Sequence, residues 1–146
     1  MDVTVLRPAG AGMEVLCLRR AKPPRLALWE VVHGHIETGE APVDAARREL
    51  QEETGLPPER LYNLSRVDSY YSHRRDVVEL IPSFCAIVAA GARPVLGAEH
   101  NAAEWLVPEA AKARLAWPRE VRALEDALML VGRGDAGGME DLLRVR

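Results

Sequence analysis

Residues 42–56, PVDAARRELQEETGL, constrain this chain more than any other stretch, because both ends of a helix are written into them. Pro42 suits a first helical position, where its missing N–H leaves no bond unmade. Gly55 is a natural C-terminal stop after Thr54. On the helical wheel Val43, Ala46 and Leu50 form one apolar stripe, and Arg47 lies at its edge. Glu49 and Glu53 stand at i,i+4 on one flank, with Glu52 beside them. Like charges at that spacing cost about 0.2–0.5 kcal/mol per pair. Arg48 precedes Glu52 by four residues and can hold it, while Glu49 and Glu53 point together. A fold that contains this helix must bury its stripe and supply positive charge to its flank. Clustered carboxylates of this kind suit a hard divalent cation such as Mg²⁺, which takes few protein oxygens and completes its shell with water and phosphate.

The rest of the chain supplies the layers. VTVLR and MEVLCLRR read as strands joined by the turn PAGAG, and LALWEVV reads as a strand running into the Gly-punctuated loop HGHIETGE. LSRVDSYYS and VVELIPSFCAIVAA read as two more strands with HRRD between them, and AAEWLVP as a short one. PEAAKARL and PREVRALEDALMLV read as helices, the second presenting Val121, Leu124, Leu128 and Val131 on one face. Strands, helix, strands, helices is the order of an α/β protein with a mixed sheet between helices, not of a doubly wound sheet. At 146 residues and 48% hydrophobic content we expect one domain, residues 1–146. Its end, residues 132–146, reads as a Gly-rich hinge plus a short amphipathic piece, either frayed or packed on a partner subunit.

Composition narrows the setting. The formal net charge is −3 and no Lys/Arg block is present, which argues against a duplex nucleic-acid partner. No apolar run reaches the length of a bilayer span and no signal peptide is recognisable, so we expect a cytoplasmic protein without a membrane partner. Cys17 and Cys85 are far apart and read as small core residues.

The loop before the helix decides the chemistry. Gly34, Glu40, Arg48, Glu49, Leu50, Glu52, Glu53, Gly55 and Leu56 fill every specified place of the pattern G-x5-E-x7-R-E-U-x-E-E-x-G-U, with U aliphatic. The segment thus resembles the Nudix box. The resemblance implies a Nudix fold and Mg²⁺-dependent hydrolysis, with Mn²⁺ as an alternative cation, of a diphosphate linked to another group. It implies Glu49, Glu52 and Glu53 as metal ligands together with the Gly34 carbonyl, Glu49 as a base in some members, Arg48 as the residue that orients carboxylates, and Glu40 as a structural acid. The approach to the box departs from the Pro-Gly-Gly of many members: Val32 and His33 stand there, which puts the larger His33 near the substrate phosphates.

GAEHNAAEWL carries the next element. By its place before a Trp-containing strand, Glu99 matches a further metal ligand or catalytic carboxylate of many Nudix enzymes; Glu79 is a weaker alternative, and Glu104 reads as a surface residue. For the phosphate grip Arg19 is favoured over Arg20, while Arg74 and Arg75 read as a charged turn. Trp29 and Trp105 read as core anchors. Trp117, opening the last helix, is placed to border the ligand, and one of Tyr70 and Tyr71 to stack on a ring. His33 and His35 alone are a weak basis for zinc. The layout is similar to the dihydroneopterin triphosphate pyrophosphohydrolases of the family, which points to a small nucleoside-triphosphate-like substrate such as dihydroneopterin triphosphate or a dNTP. ADP-ribose, dinucleoside polyphosphates and oxidised nucleotides stay open, as do a non-catalytic nucleotide sensor and an isoprenoid diphosphate isomerase. The family often forms homodimers.

Overall fold

The computed structural model describes all 146 residues. Strands β1 (Asp2–Ala9) and β2 (Gly12–Arg20) form a hairpin in the register Leu6↔Val15 to Ala9↔Gly12. The turn between them needs a positive φ, which Gly10 supplies at 56°. β1 then pairs in parallel with β6 (Val77–Ile87), and β6 pairs antiparallel with β5 (Arg60–Ser72), so the eight-stranded sheet is mixed. β7 (His100–Leu106) covers the other edge of β2. No helix is long and apolar enough to cross a membrane.

The segment expected as one strand, LALWEVV, is divided. Trp29–Glu30 (β3) pairs with Leu18 and Arg19 of β2, and Val32–His33 (β4) pairs with Asp2 and Val3 of β1. Leu18 and Arg19 also pair with β7, so β3 occupies the edge of β2 that faces β1. The two strands splay apart at this end and the chain from Trp29 to His33 is wedged between them. No single straight strand satisfies both partners.

Both faces of the sheet are covered. Val3, Val5, Leu16, Leu18, Phe84 and Ala86 pack under α1 (Pro42–Thr54) with its Ala45, Ala46 and Leu50. Leu6, Val15, Cys17, Tyr62, Cys85 and Ile87 pack under α2 (Pro108–Arg114) and α3 (Pro118–Val131) with Ala111, Ala123, Leu124, Ala127 and Val131. Successive strand residues therefore point into different but equally apolar layers. α1 has the expected bounds, and Gly55 closes it at φ 64° with its N–H bonded to the Gln51 carbonyl. After α3 the chain turns back. A short 3₁₀ turn and α4 (Glu140–Leu143) bury Leu143, the Tyr62 hydroxyl donates to the Glu140 carboxylate at 3.0 Å, and β8 (Arg144–Val145) pairs with Leu61 and Tyr62.

Leu50 is the largest fully buried side chain of α1. Leu50→Ala should destabilise the protein by about 2–4 kcal/mol, measured as a shift of the urea unfolding midpoint at unchanged slope.

Candidate active site

The site lies where the wedged segment meets α1. Gly34 follows β4 directly, and the Glu49 carboxyl group is pressed against it. A Cβ on Gly34 would fall 2.0–2.3 Å from the Glu49 carboxyl carbon, Oε1 and Cγ, so a larger residue there would push the Glu49 side chain away. The Gly34 carbonyl accepts a hydrogen bond from the Met1 amino group at 2.7 Å. An N–H donor already lies against the oxygen expected to ligate a metal, and a carbonyl has a second lone pair to offer.

Arg48 organises the outer carboxylates. Its guanidinium donates to Glu40 twice at 2.9 Å, to Glu49 at 2.9 Å and to the His35 carbonyl at 3.0 Å, and reaches Glu52 only at 3.5 Å. Glu40 rather than Glu52 is thus its principal partner. The forked bond from Arg48, aided by the Glu37 backbone N–H, holds the Glu40 carboxyl down at about 2. It ties the loop before α1 to the helix.

Glu53 behaves differently. It continues the stripe of Ala46 and Leu50 and points into the protein, with 4% of its surface exposed. Neither of its carboxylate oxygens has a hydrogen-bond partner. Burial, then the nearby charges of Glu49, Glu30 and Glu99, push its pKa up to about 9. An unpartnered carboxylate in a ring of other carboxylates is the signature of a place that suits a cation. The three box glutamates are not preassembled into a ligand cage: no group of three His, Cys, Asp or Glu side chains stands at metal-holding distances. Glu49 and Glu52 turn to Arg48, and Glu53 alone faces inward.

Glu99 arrives from the loop before β7. That loop lies against the C-terminal end of α1, with the Val95 N–H on the Thr54 carbonyl at 2.8 Å and the Gly97 N–H on the Glu53 carbonyl at 3.1 Å. A Cβ on Gly97 would meet the Glu52 carbonyl at 2.6 Å. The Glu99 side chain is paired with Arg20. Burial works against its charge, but that guanidinium outweighs it and keeps the carboxyl below its ordinary range.

Arg20, not Arg19, is the arginine brought to the acidic cluster. Leu16, Leu18 and Arg20 share the α1 side of β2, whereas Arg19 turns to the other side, bonds Asn101 at 2.8 Å and lies over Trp29. Behind Arg20 is Glu30, fully buried, whose carboxylate faces Arg25 at 2.9 Å, Arg20 at 3.4 Å and His100 at 3.3 Å. Sequence reasoning passed over Glu30, although a charge between Trp29 and Val31 in an apolar run was a usable signal.

His33 and Trp117 are brought together in one cleft of about 650 Å³, lined also by Arg25, His35, both Tyr70 and Tyr71, Arg74 and Arg119. His33 Nδ1 is 2.6 Å from Asp2, which also accepts from Arg119 at 2.9 Å; Arg119 in turn lies over the Trp117 ring. Asp2 is buried, yet His33 and then Arg119 keep it ionised below its usual range. Beneath them Glu120 is fully buried with one unpartnered oxygen, and burial drives its pKa well up. Glu79 pairs with Arg75 and lines a smaller pocket of about 150 Å³ with Met1 and Gly34.

The profile of the NUDIX domain matches residues 1–127. The chain belongs to the Nudix family. A curated relative, an octanoyltransferase of Myxococcus xanthus, is 37% identical over 122 residues, covering 79% of this Nudix chain and 32% of that protein. An RNA pyrophosphohydrolase of Bartonella clarridgeiae is 42% identical over 50 residues, 34% of this chain and 29% of its own. This chain therefore spans about a third of the length of these curated relatives. Among solved structures, the E. coli dihydroneopterin triphosphate pyrophosphohydrolase superposes with a TM-score of 0.68 at 27% identity, covering 88% of this chain and 94% of that one. Nudix-fold neighbours of this kind agree with the mixed sheet between helices expected from the sequence.

Glu53 makes stability depend on pH. Its pKa rises from 4.5 in the unfolded chain to about 9 on folding, so the folded protein holds an extra proton between those values. Its contribution is fully present below about pH 4.5 and is lost as pH rises through 9. In EDTA the melting temperature should fall between pH 6 and pH 9, and Glu53→Gln should flatten that slope.

Proposed function

We propose that the chain is a divalent-cation-dependent Nudix pyrophosphohydrolase that cleaves the diphosphate linkage of a nucleotide-like compound. The observation that carries this reading is Glu53, a buried carboxylate with no partner in a complete Nudix box. Glu49, Glu52, Glu53 and the Gly34 carbonyl are the groups that would hold Mg²⁺ or Mn²⁺, with Glu99 as a further ligand or base. A bound cation neutralises phosphate charge and lowers the pKa of a coordinated water.

The chain's own residues do the rest. Arg48 fixes Glu49 against Gly34 and prevents it from swinging to solvent. Glu49 or Glu99 accepts the proton of the attacking water; Arg48 positions Glu49, and the Arg20 guanidinium holds the Glu99 carboxyl below its ordinary range. Arg25, anchored on buried Glu30, presents positive charge at the edge of the cleft where the diphosphate's negative charge moves to the leaving group. Trp117, Tyr70 and His33 offer flat faces to the non-phosphate half, which favours an aromatic ring such as a pterin or a nucleobase. Dihydroneopterin triphosphate and dNTPs are the compounds to test first, and the E. coli structural neighbour supports that order.

The experiment is a panel of nucleoside triphosphates, dihydroneopterin triphosphate, ADP-ribose and dinucleoside polyphosphates, each with Mg²⁺ and with EDTA. Release of pyrophosphate or monophosphate only in the Mg²⁺ arm is the expected result. Ligand-induced thermal stabilisation without turnover in any member would establish a sensor instead. Glu53→Gln should lower turnover by about a hundredfold or more while circular dichroism shows an intact fold.

A further inference from the structure

The wall of the large cleft formed by the β5–β6 turn has no part in the chemistry described above. Of the twelve lining residues none is acidic, three are arginines and three are histidines, in a chain whose acidic residues outnumber its lysines and arginines by 22 to 19. The arginines differ in what lies behind them. Arg25 is matched by buried Glu30, and Arg119 by buried Asp2 and Glu120. At the turn, Asp76 accepts a hydrogen bond from the Tyr71 hydroxyl at 2.7 Å and Arg75 pairs with Glu79, leaving Arg74 and His73 without an ionic or hydrogen-bonded partner. The turn's other charges are spent on bracing it, and Arg74 is presented to the cleft.

Position along the cleft gives this wall a meaning. The small pocket at Gly34 and the large cleft share His33, His35 and Tyr70, whereas Trp117, His73 and Arg74 line the large cleft alone. A ligand whose diphosphate lies at the Gly34 end extends past His33 and Tyr70 into the cleft that Trp117 and Arg74 line. A guanidinium with no protein partner, in a groove free of carboxylates, fits phosphate oxygens in a fork.

We infer that Arg74, with His73, forms a second phosphate subsite, so that a nucleotide with a phosphate on the 2′ or 3′ side of the nucleoside, in addition to the cleaved 5′ diphosphate, binds more tightly than the same nucleotide without it. The required chemistry is a phosphate mono- or diester at that position, whether in a 3′-phosphorylated mononucleotide or in the first linkage of a 5′-phosphorylated oligonucleotide. The inference rests on the hydrolase reading for the direction in which the ligand lies, but it is tested by binding, which needs no turnover.

Calorimetric titration of the 146-residue chain compares a nucleoside 5′-diphosphate, the same compound with a 3′-phosphate, and the corresponding 5′-diphosphorylated dinucleotide. A tighter Kd by about tenfold is expected for the added phosphate, the worth of one charge-assisted bond, and it should shrink with added salt. In Arg74→Ala the ratio of the two dissociation constants should fall to near one, and Arg74→Lys should recover part of it. A gain for both phosphorylated ligands shows that a monoester suffices; a gain for the dinucleotide alone identifies the source as an oligonucleotide end. Equal affinities in the unaltered protein, or a ratio that survives Arg74→Ala, overturn the subsite. Failure of the hydrolase reading is seen separately, as binding without turnover.

Discussion

Burial of negative charge sets the terms for this structure. Asp2, Glu30, Glu53 and Glu120 are all nearly inaccessible, and the only arginine buried to a similar degree is Arg20. An ionised carboxylate moved out of water loses several kcal/mol of hydration unless matched. The protein meets this in three ways. Asp2 and Glu30 are matched, the first by His33 and Arg119, the second by Arg20, Arg25 and His100. Glu120 has its pKa driven well up by burial, with the Asp2 charge adding to that and Arg119 opposing it. Glu53 has no hydrogen-bond partner and lies among the charges of Glu49, Glu30 and Glu99, so burial and those charges together push its pKa up to about 9 and the folded protein holds its proton.

The fold produces this concentration of acids through one topological feature. Because β1 and β2 splay, the segment from Trp29 to His33 can pair with both, and it delivers Glu30, His33 and Gly34 to a single seam. α1 crosses that seam with Glu49 and Glu53, and the loop before β7 docks on the helix end to bring Glu99. Three separate stretches of chain thus meet through strand pairing, backbone bonds and packing, not through the carboxylates, whose mutual repulsion opposes the assembly. The hydrophobic layers on both sides of the sheet supply the opposing free energy.

The helix was legible to the residue because its signals are local: Pro42, the stripe ending in Leu50, and Gly55. The choice between Arg19 and Arg20 was not, and the reason is physical. β2 is apolar on both faces, so the alternation that reveals a half-exposed strand is erased, and VLCLRR gives no sign of which arginine faces which layer. The division of LALWEVV depends on two partner strands distant in sequence. Glu53 was legible as part of the box, and its spacing of seven from Ala46 and three from Leu50 places it on the stripe; the i,i+4 spacing from Glu49 had set it on the flank instead. The cationic character of the cleft was invisible because its arginines come from positions 25, 74 and 119, each unremarkable among its own neighbours.

The three box glutamates form a gradient of environment over barely more than one helical turn. The Glu52 side chain is 60% exposed, that of Glu49 14%, and Glu53 is buried. Coulombic interactions strengthen as water is excluded, so the three carboxylates differ in how strongly each interacts with neighbouring charge. Arg48 acts on the two more exposed members and leaves the innermost free. An arginine beside Glu53 would have paired the one box carboxylate that the fold leaves without a partner. The chain instead places its buried guanidinium, Arg20, one step away on Glu30 and Glu99, where it limits the repulsion around Glu53 without quenching it.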